Sequence, residues 1–209
     1  MYDDSGQVCL AGTRLLVEAS VRDEFLRLFH GFTDAHVLGD SREPATTISP
    51  MIHPEHLGSV QGFVERARVA GDTIVRGGER SALGGHDGLW YEPTLIEPRS
   101  NDSEVVQHEV FGPVLTFQTF DDEAQAISLA NSTPYGLSGI VFTSSQERAE
   151  RVGRAVRAGT IWTNCFLIRD LTAPFGGCGI SGIGREGGDY ALDFYSDLKM
   201  FQVLDGTTG

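Results

Sequence analysis

The sequence predicts an α/β fold, a sheet covered by helices, on three observations. Strand-like and helix-like segments alternate along most of the chain. Of its 209 residues, 40% are hydrophobic and 22% charged, which suits one soluble domain with a sizeable core. One segment, 54–70, also carries a full set of helix signals. Leu57, Val60, Phe63, Val64 and Ala67 share a face, Pro54 stands near its start, and Gly71 follows its end.

The remaining elements follow in order. Residues 13–17 read as a strand, and 21–33 as a helix with Phe25, Leu28, Phe29 and Phe32 at helical spacing. A short strand at 73–75 closes on Gly77-Gly78. Residues 90–96 and 114–120 look extended and apolar. Asp121-Asp122 caps a helix over 123–130, because an Asp carboxylate accepts from the free N–H groups of a first turn. A strand at 139–143 precedes a helix capped by Ser144 or Ser145, running through Arg157 and stopping at Gly159. Residues 160–164 form a further strand. Glycines then crowd residues 176–188, the mark of a loop with backbone angles closed to other residues. Residues 194–204 read as a terminal strand or arm.

Charge and cysteine usage narrow the function classes. A net charge of -13 argues against a nucleic-acid partner, which needs a basic face, and against an anionic membrane surface. No apolar run is long enough to span a bilayer, and the start Met1-Tyr2-Asp3-Asp4 lacks the features of a signal peptide. Cys9, Cys165 and Cys178 form no CxxC pair and no disulfide framework, so a cytoplasmic, reducing setting is expected.

Several candidate sites stand beside plainer readings. Gly177-Cys178-Gly179-Ile180-Ser181-Gly182 spells GxGxxG, but Pro174-Phe175 precedes it and Gly184, Gly187 and Gly188 follow. A dinucleotide fingerprint needs a strand before it and a helix opening from it, so a glycine-rich loop is the better reading. Cys9 follows a tight turn at Gly6-Gln7, and Leu10-Ala11-Gly12-Thr13 suits a short helical turn. A thiol at a helix N-terminus is favoured as thiolate; a small buried apolar residue is the plainer alternative. His53-Pro54-Glu55-His56 lacks further metal ligands and reads as solvated helix-start residues. Asn131-Ser132-Thr133 fits a glycosylation sequon but reads as a helix-end turn before Pro134. Glu109 and Phe111 share a face if extended. They could meet a ribose diol and a planar heterocycle, though spacing alone favours a strand-edge acid and a core aromatic.

Taken together the segments resemble the aldehyde dehydrogenase superfamily, in its C-terminal catalytic portion. The matching motifs come in family order: Tyr2-x-x-x-Gly6-Gln7-x-Cys9, Tyr91-Glu92-Pro93-Thr94, Glu109-x-Phe111-Gly112-Pro113-Val114, Asn131-x-Thr133-Pro134-Tyr135-Gly136-Leu137, Gly159-x-x-x-x-Asn164, and Pro174-Phe175-Gly176-Gly177-x-x-x-Ser181-Gly182-x-Gly184-Arg185-Glu186. The resemblance implies an open Rossmann-like twisted sheet flanked by helices, with a catalytic domain over 1–190 and a C-terminal oligomerisation arm over 191–209. It implies that Cys9 attacks an aldehyde carbonyl, that the oxyanion expels hydride to the nicotinamide of NAD or NADP, and that water hydrolyses the resulting thioester. Glu109 matches the residue that binds the nicotinamide ribose, and Phe111 the aromatic beside that ring. Asn164 begins the loop that shapes the substrate channel, and Phe175 matches an aromatic of that channel.

Ile168-Arg169-Asp170-Leu171 adds similarity to the hydroxymuconic and aminomuconic semialdehyde dehydrogenases, whose substrates bear a carboxylate. Arg169 offers a planar, permanently charged fork for such a group; its alternative is an ion pair with Asp170 or another acid. Two departures stand out. Leu171-Thr172-Ala173 occupies the place where that subgroup often shows Leu-Arg-Thr, and Asp4 the place where Asn is common. The resemblance also sets the nucleotide-binding domain, the deacylating glutamate and an oxyanion-binding asparagine upstream of Cys9. The 209 residues alone are therefore expected to lack dehydrogenase activity, as a fragment or a truncated gene product. Expected partners are a small-molecule aldehyde and a second copy or a full-length relative; the alternative is a non-catalytic half-enzyme serving as a binding or assembly module.

Overall fold

The computed structural model describes residues 1–83, 88–204 and 206. Six strands and six α-helices follow one another along the chain: β1 (Arg14–Glu18), α1 (Arg22–Asp34), α2 (Pro54–Ala70), β2 (Thr73–Arg76), β3 (Thr94–Glu97), α3 (Glu104–Gln107), β4 (Val114–Phe120), α4 (Glu123–Ala130), β5 (Ser138–Val141), α5 (Gln146–Ala155), β6 (Thr160–Thr163) and α6 (Gly188–Tyr195), counted among the described residues. Hydrogen bonds divide the strands into a four-stranded sheet, β1-β4-β3-β2, and a two-stranded sheet, β5-β6. All pairings are parallel except β2 with β3. The α/β class and the covering helices are as the sequence predicts.

Strand pleating sends alternate side chains to opposite faces. From β3 and β4, Ile96 and Val114 face α2 and join Met51, Leu57, Val60, Val64, Ala67 and Tyr91. Leu95, Leu115 and Phe117 face the other way and meet Tyr2, Ile48 and the α1 side chains Phe25 and Phe29. Both faces of the sheet are thus covered, as is usual for parallel strands.

Caps bound the helices as expected at several ends. His53 accepts from the Glu55 N–H at the start of α2, and Gly71 ends it at φ +89°. Asp122 caps α4 through the Gln125 N–H at 2.8 Å, and Ser145 caps α5 through the Arg148 N–H at 3.2 Å. Arg14 of β1 donates to the Leu129 carbonyl at 2.7 Å, tying the end of α4 to the first strand.

Three expectations are corrected. Of residues 90–96 only the part from Thr94 enters a strand, while Tyr91 forms an isolated bridge to Arg80. Pro93, lacking an N–H, cannot extend the ladder in that direction. Helix α5 stops at Ala155, before Arg157. Phe194 and Tyr195 belong to α6 rather than a terminal strand, and 196–204 pair with no strand among the described residues. Residues 205 and 207–209 of the expected arm lie outside the described residues.

Candidate active site

The Cys9 loop is built on an unusual backbone. Asp4, Ser5 and Gly6 stand at φ +50°, +54° and +70°, three left-handed residues in succession. Side chains tether this turn. The Tyr2 hydroxyl donates to the Thr94 carbonyl at 3.1 Å, and the Ser5 hydroxyl donates to the Ser49 carbonyl. Gln7 donates to the Asp4 carbonyl at 3.0 Å and accepts from the Ile52 N–H at 3.0 Å. Gly6 lies so close to Gly112 that an added Cβ would sit 2.1 Å from its carbonyl oxygen. Glycine is required there by approach as well as by φ.

Cys9 itself occupies an exposed turn, closed by the Ala11 N–H on the Val8 carbonyl at 2.9 Å. The chain then enters β1. No helix starts at Cys9, so the expected helix-terminus activation is absent, and the thiol is exposed rather than buried. No described side chain hydrogen-bonds it.

The segment 109–113 packs against this loop. Phe111 stands at φ +56°, a rare backbone for a bulky side chain. Its carbonyl accepts from His56 Nε2 at 2.8 Å, and the two rings meet edge to face at 6.2 Å. The Glu109 N–H donates to the Tyr135 hydroxyl at 3.3 Å. Glu109 is exposed, yet its inner flank is dry enough that burial raises its carboxyl above the ordinary value. Asp4, Gln7, Ile52, His56 and Phe111 line a largely apolar pocket of about 490 Å³. Glu109 and Phe111 are therefore neither a simple strand edge nor a core pair, since both lie outside the strands and Phe111 lines the pocket.

A second cluster follows β6. Asn164, at φ +54°, uses its whole amide on Thr143, donating to its carbonyl at 2.7 Å and accepting from its N–H at 2.9 Å. Trp162 Nε1 donates to the Ile168 carbonyl at 2.9 Å and pins the loop. The Arg169 guanidinium lies over the Phe175 ring at 4.3 Å. Asp170 instead accepts from the Thr172 N–H and hydroxyl at 2.9 and 2.7 Å, and Arg169 has no ion pair among the described residues. Phe175 is held by paired backbone bonds with Glu186 at 2.7 and 2.8 Å. Gly179–Ser181 makes one 3-10 turn and opens no α-helix, in keeping with the loop reading of GxGxxG.

The profile of the aldehyde dehydrogenase family matches residues 1–201. The chain belongs to the aldehyde dehydrogenase family. This family member is 40% identical over 200 residues to a 2-aminomuconic 6-semialdehyde dehydrogenase of Pseudomonas sp, covering 95% of this chain and 41% of the relative. It is 38% identical to a betaine aldehyde dehydrogenase of Rhizobium leguminosarum bv. trifolii, covering 97% of this chain and 42% of that one. A crystal structure of a betaine aldehyde dehydrogenase point mutant from Staphylococcus aureus, in complex with NAD+ and with a BME-modified cysteine, superposes with a TM-score of 0.88 at 39% identity, over 92% of this chain and 39% of that one. The aldehyde dehydrogenase chain described here thus spans about two-fifths of the length of the curated relatives it matches.

Sequence reasoning missed His56 and Tyr135 as side chains that touch the candidate site. His56 reads locally as a solvated helix-start residue; instead it is half-buried against Phe111. Nothing in the spacing of 53–56 signals a partner fifty-five positions away in the chain. Tyr135 does fall inside a family motif, which was the available signal.

Proposed function

We propose that this chain is the catalytic portion of an NAD(P)-dependent aldehyde dehydrogenase that oxidises a carboxylated semialdehyde to the acid. The observation that carries the reading is the contact of Gly6 with Gly112, which sets the Cys9 loop and the Phe111 segment on one pocket. Cys9 is the nucleophile: its thiolate adds to the aldehyde carbon as a thiohemiacetal, and water cleaves the thioester formed after oxidation. The residues present fit a dinucleotide's reactive end. The exposed Glu109 carboxylate can accept from a ribose diol, and the Phe111 ring gives a planar heterocycle an apolar surface beside the Cys9 loop. A nicotinamide bound there would supply the hydride acceptor. The NAD+ and modified cysteine of the Staphylococcus aureus enzyme support both assignments.

Arg169 and Phe175 form the substrate end, with Asn164 shaping the loop through Thr143 rather than donating to substrate. A guanidinium unpaired with Asp170 favours a carboxylate and repels a quaternary ammonium such as betaine aldehyde. This supports the semialdehyde reading over a betaine aldehyde one. The three cysteines are free, and no helix among the described residues is long and apolar enough to cross a membrane.

The test is acylation. On exposure to p-nitrophenyl acetate, Cys9 Sγ attacks the acyl carbon and p-nitrophenolate leaves. Mass mapping is expected to find the acetyl group on Cys9 and to find it gone in Cys9→Ser. An adduct on Cys165 or Cys178 alone would overturn the assignment. The 209 residues alone are expected to show no NAD-dependent turnover, because no described base bonds the thiol.

A second reading, an assembly module pairing with a copy of itself or with a full-length relative, draws on residues 191–204. Leu198 and Leu204 there are 93% and 95% exposed.

A further inference from the structure

We propose that His56 is a positioning residue for Phe111. Phe111 holds φ +56°, a conformation that its own side chain disfavours, so something outside the residue must select it. Its N-terminal neighbour Val110 is buried in the core under α2, and its C-terminal neighbour Gly112 is wedged between Val60 and Gly6. Those contacts anchor the two flanking residues and leave the Phe111 peptide group to be oriented. His56 does this from the first turn of α2. A carbonyl can only accept, so the 2.8 Å contact places the proton on Nε2, and the imidazole donates in its neutral or charged form alike.

The same histidine meets the Phe111 ring edge to face at 6.2 Å. One side chain therefore fixes both the carbonyl and the ring, and both residues line the pocket beside the Cys9 loop. Loss of the imidazole would free the carbonyl of its donor and the ring of its edge-to-face neighbour together. That Phe111 flanks a nicotinamide rests on the reading above. That His56 holds Phe111 does not, and its test reads the backbone without cofactor or turnover.

The test compares His56→Gln, whose side-chain amide keeps a donor at similar reach, with His56→Leu, which keeps the bulk and loses the donor. In isotope-labelled chain, a strong intraresidue HN–Hα NOE at Phe111 marks the positive φ. It is expected in the wild type and in His56→Gln and is expected to be lost in His56→Leu. Persistence in His56→Leu would overturn the proposal. So would its loss in both variants, since the imidazole's shape rather than its donor would then matter. Collapse of signal dispersion across the whole His56→Leu spectrum would also overturn it, by showing a role in the fold at large.

Discussion

At the scale of single residues, the site is made by backbone that most side chains avoid. Gly6 and Phe111 both stand at positive φ, one because nothing larger fits beside Gly112, the other despite its ring. Such strain persists only where surroundings over-determine it, and the hydrogen bonds of Gln7, Ser5 and His56 do so here. Glu109 adds an electrostatic cost. Burial of one flank raises its carboxyl, so the folded chain holds that proton more tightly than the unfolded chain does. The group's contribution is fully present below the unfolded value and is lost as pH rises through the folded one. Glu109→Gln is therefore expected to raise the urea midpoint near pH ~7 and to leave it unchanged near pH ~3, where both states are protonated. Equal midpoints at both pH values would show that the flank is wet. None of this was legible from spacing, because the burial of Glu109 and the donor to Phe111 come from residues distant in the chain.

At the scale of elements, α2 links fold and site. Leu57, Val60, Val64 and Ala67 bury one face against the sheet, while His56, one residue before Leu57, reaches Phe111. Leu57→Ala is expected to cost about 2–5 kcal/mol in urea unfolding, the range for a buried leucine left as a cavity. A loss below about 1 kcal/mol would mean that the helix is not seated as described. This element was readable almost in full, since its apolar period, Pro54 and Gly71 are all local signals. The four-residue α3 was not, because a single turn has no period to read. The helical turn expected after Cys9 failed for a related reason. Leu10 to Thr13 has acceptable helix composition, but β1 starts at Arg14 and pairs with β4, and that pairing draws the chain straight into the sheet.

At the scale of the whole molecule, a four-stranded sheet with a core on each face carries the stability, and the C-terminal segment stands apart from it. Met200, Phe201, Val203 and Leu204 are exposed, more apolar surface than an isolated chain in water usually shows together. The chain is expected to elute as an oligomer in size exclusion, and removal of residues 196–209 is expected to return it to monomer. An untrimmed 209-residue chain that elutes as a monomer at high concentration would sink the assembly reading. By itself, the sequence determined the α/β class, the limits of α2 and α4, and the family, because these rest on local caps, apolar period and motif order. Only the tertiary structure decided that Cys9 sits on an exposed turn, that Arg169 lies on Phe175 rather than Asp170, and that His56 and Tyr135 bond the segment whose Gly112 packs on Gly6. Each of these depends on contacts between residues apart in the chain or on competition among nearby partners, which spacing along one strand or helix does not encode.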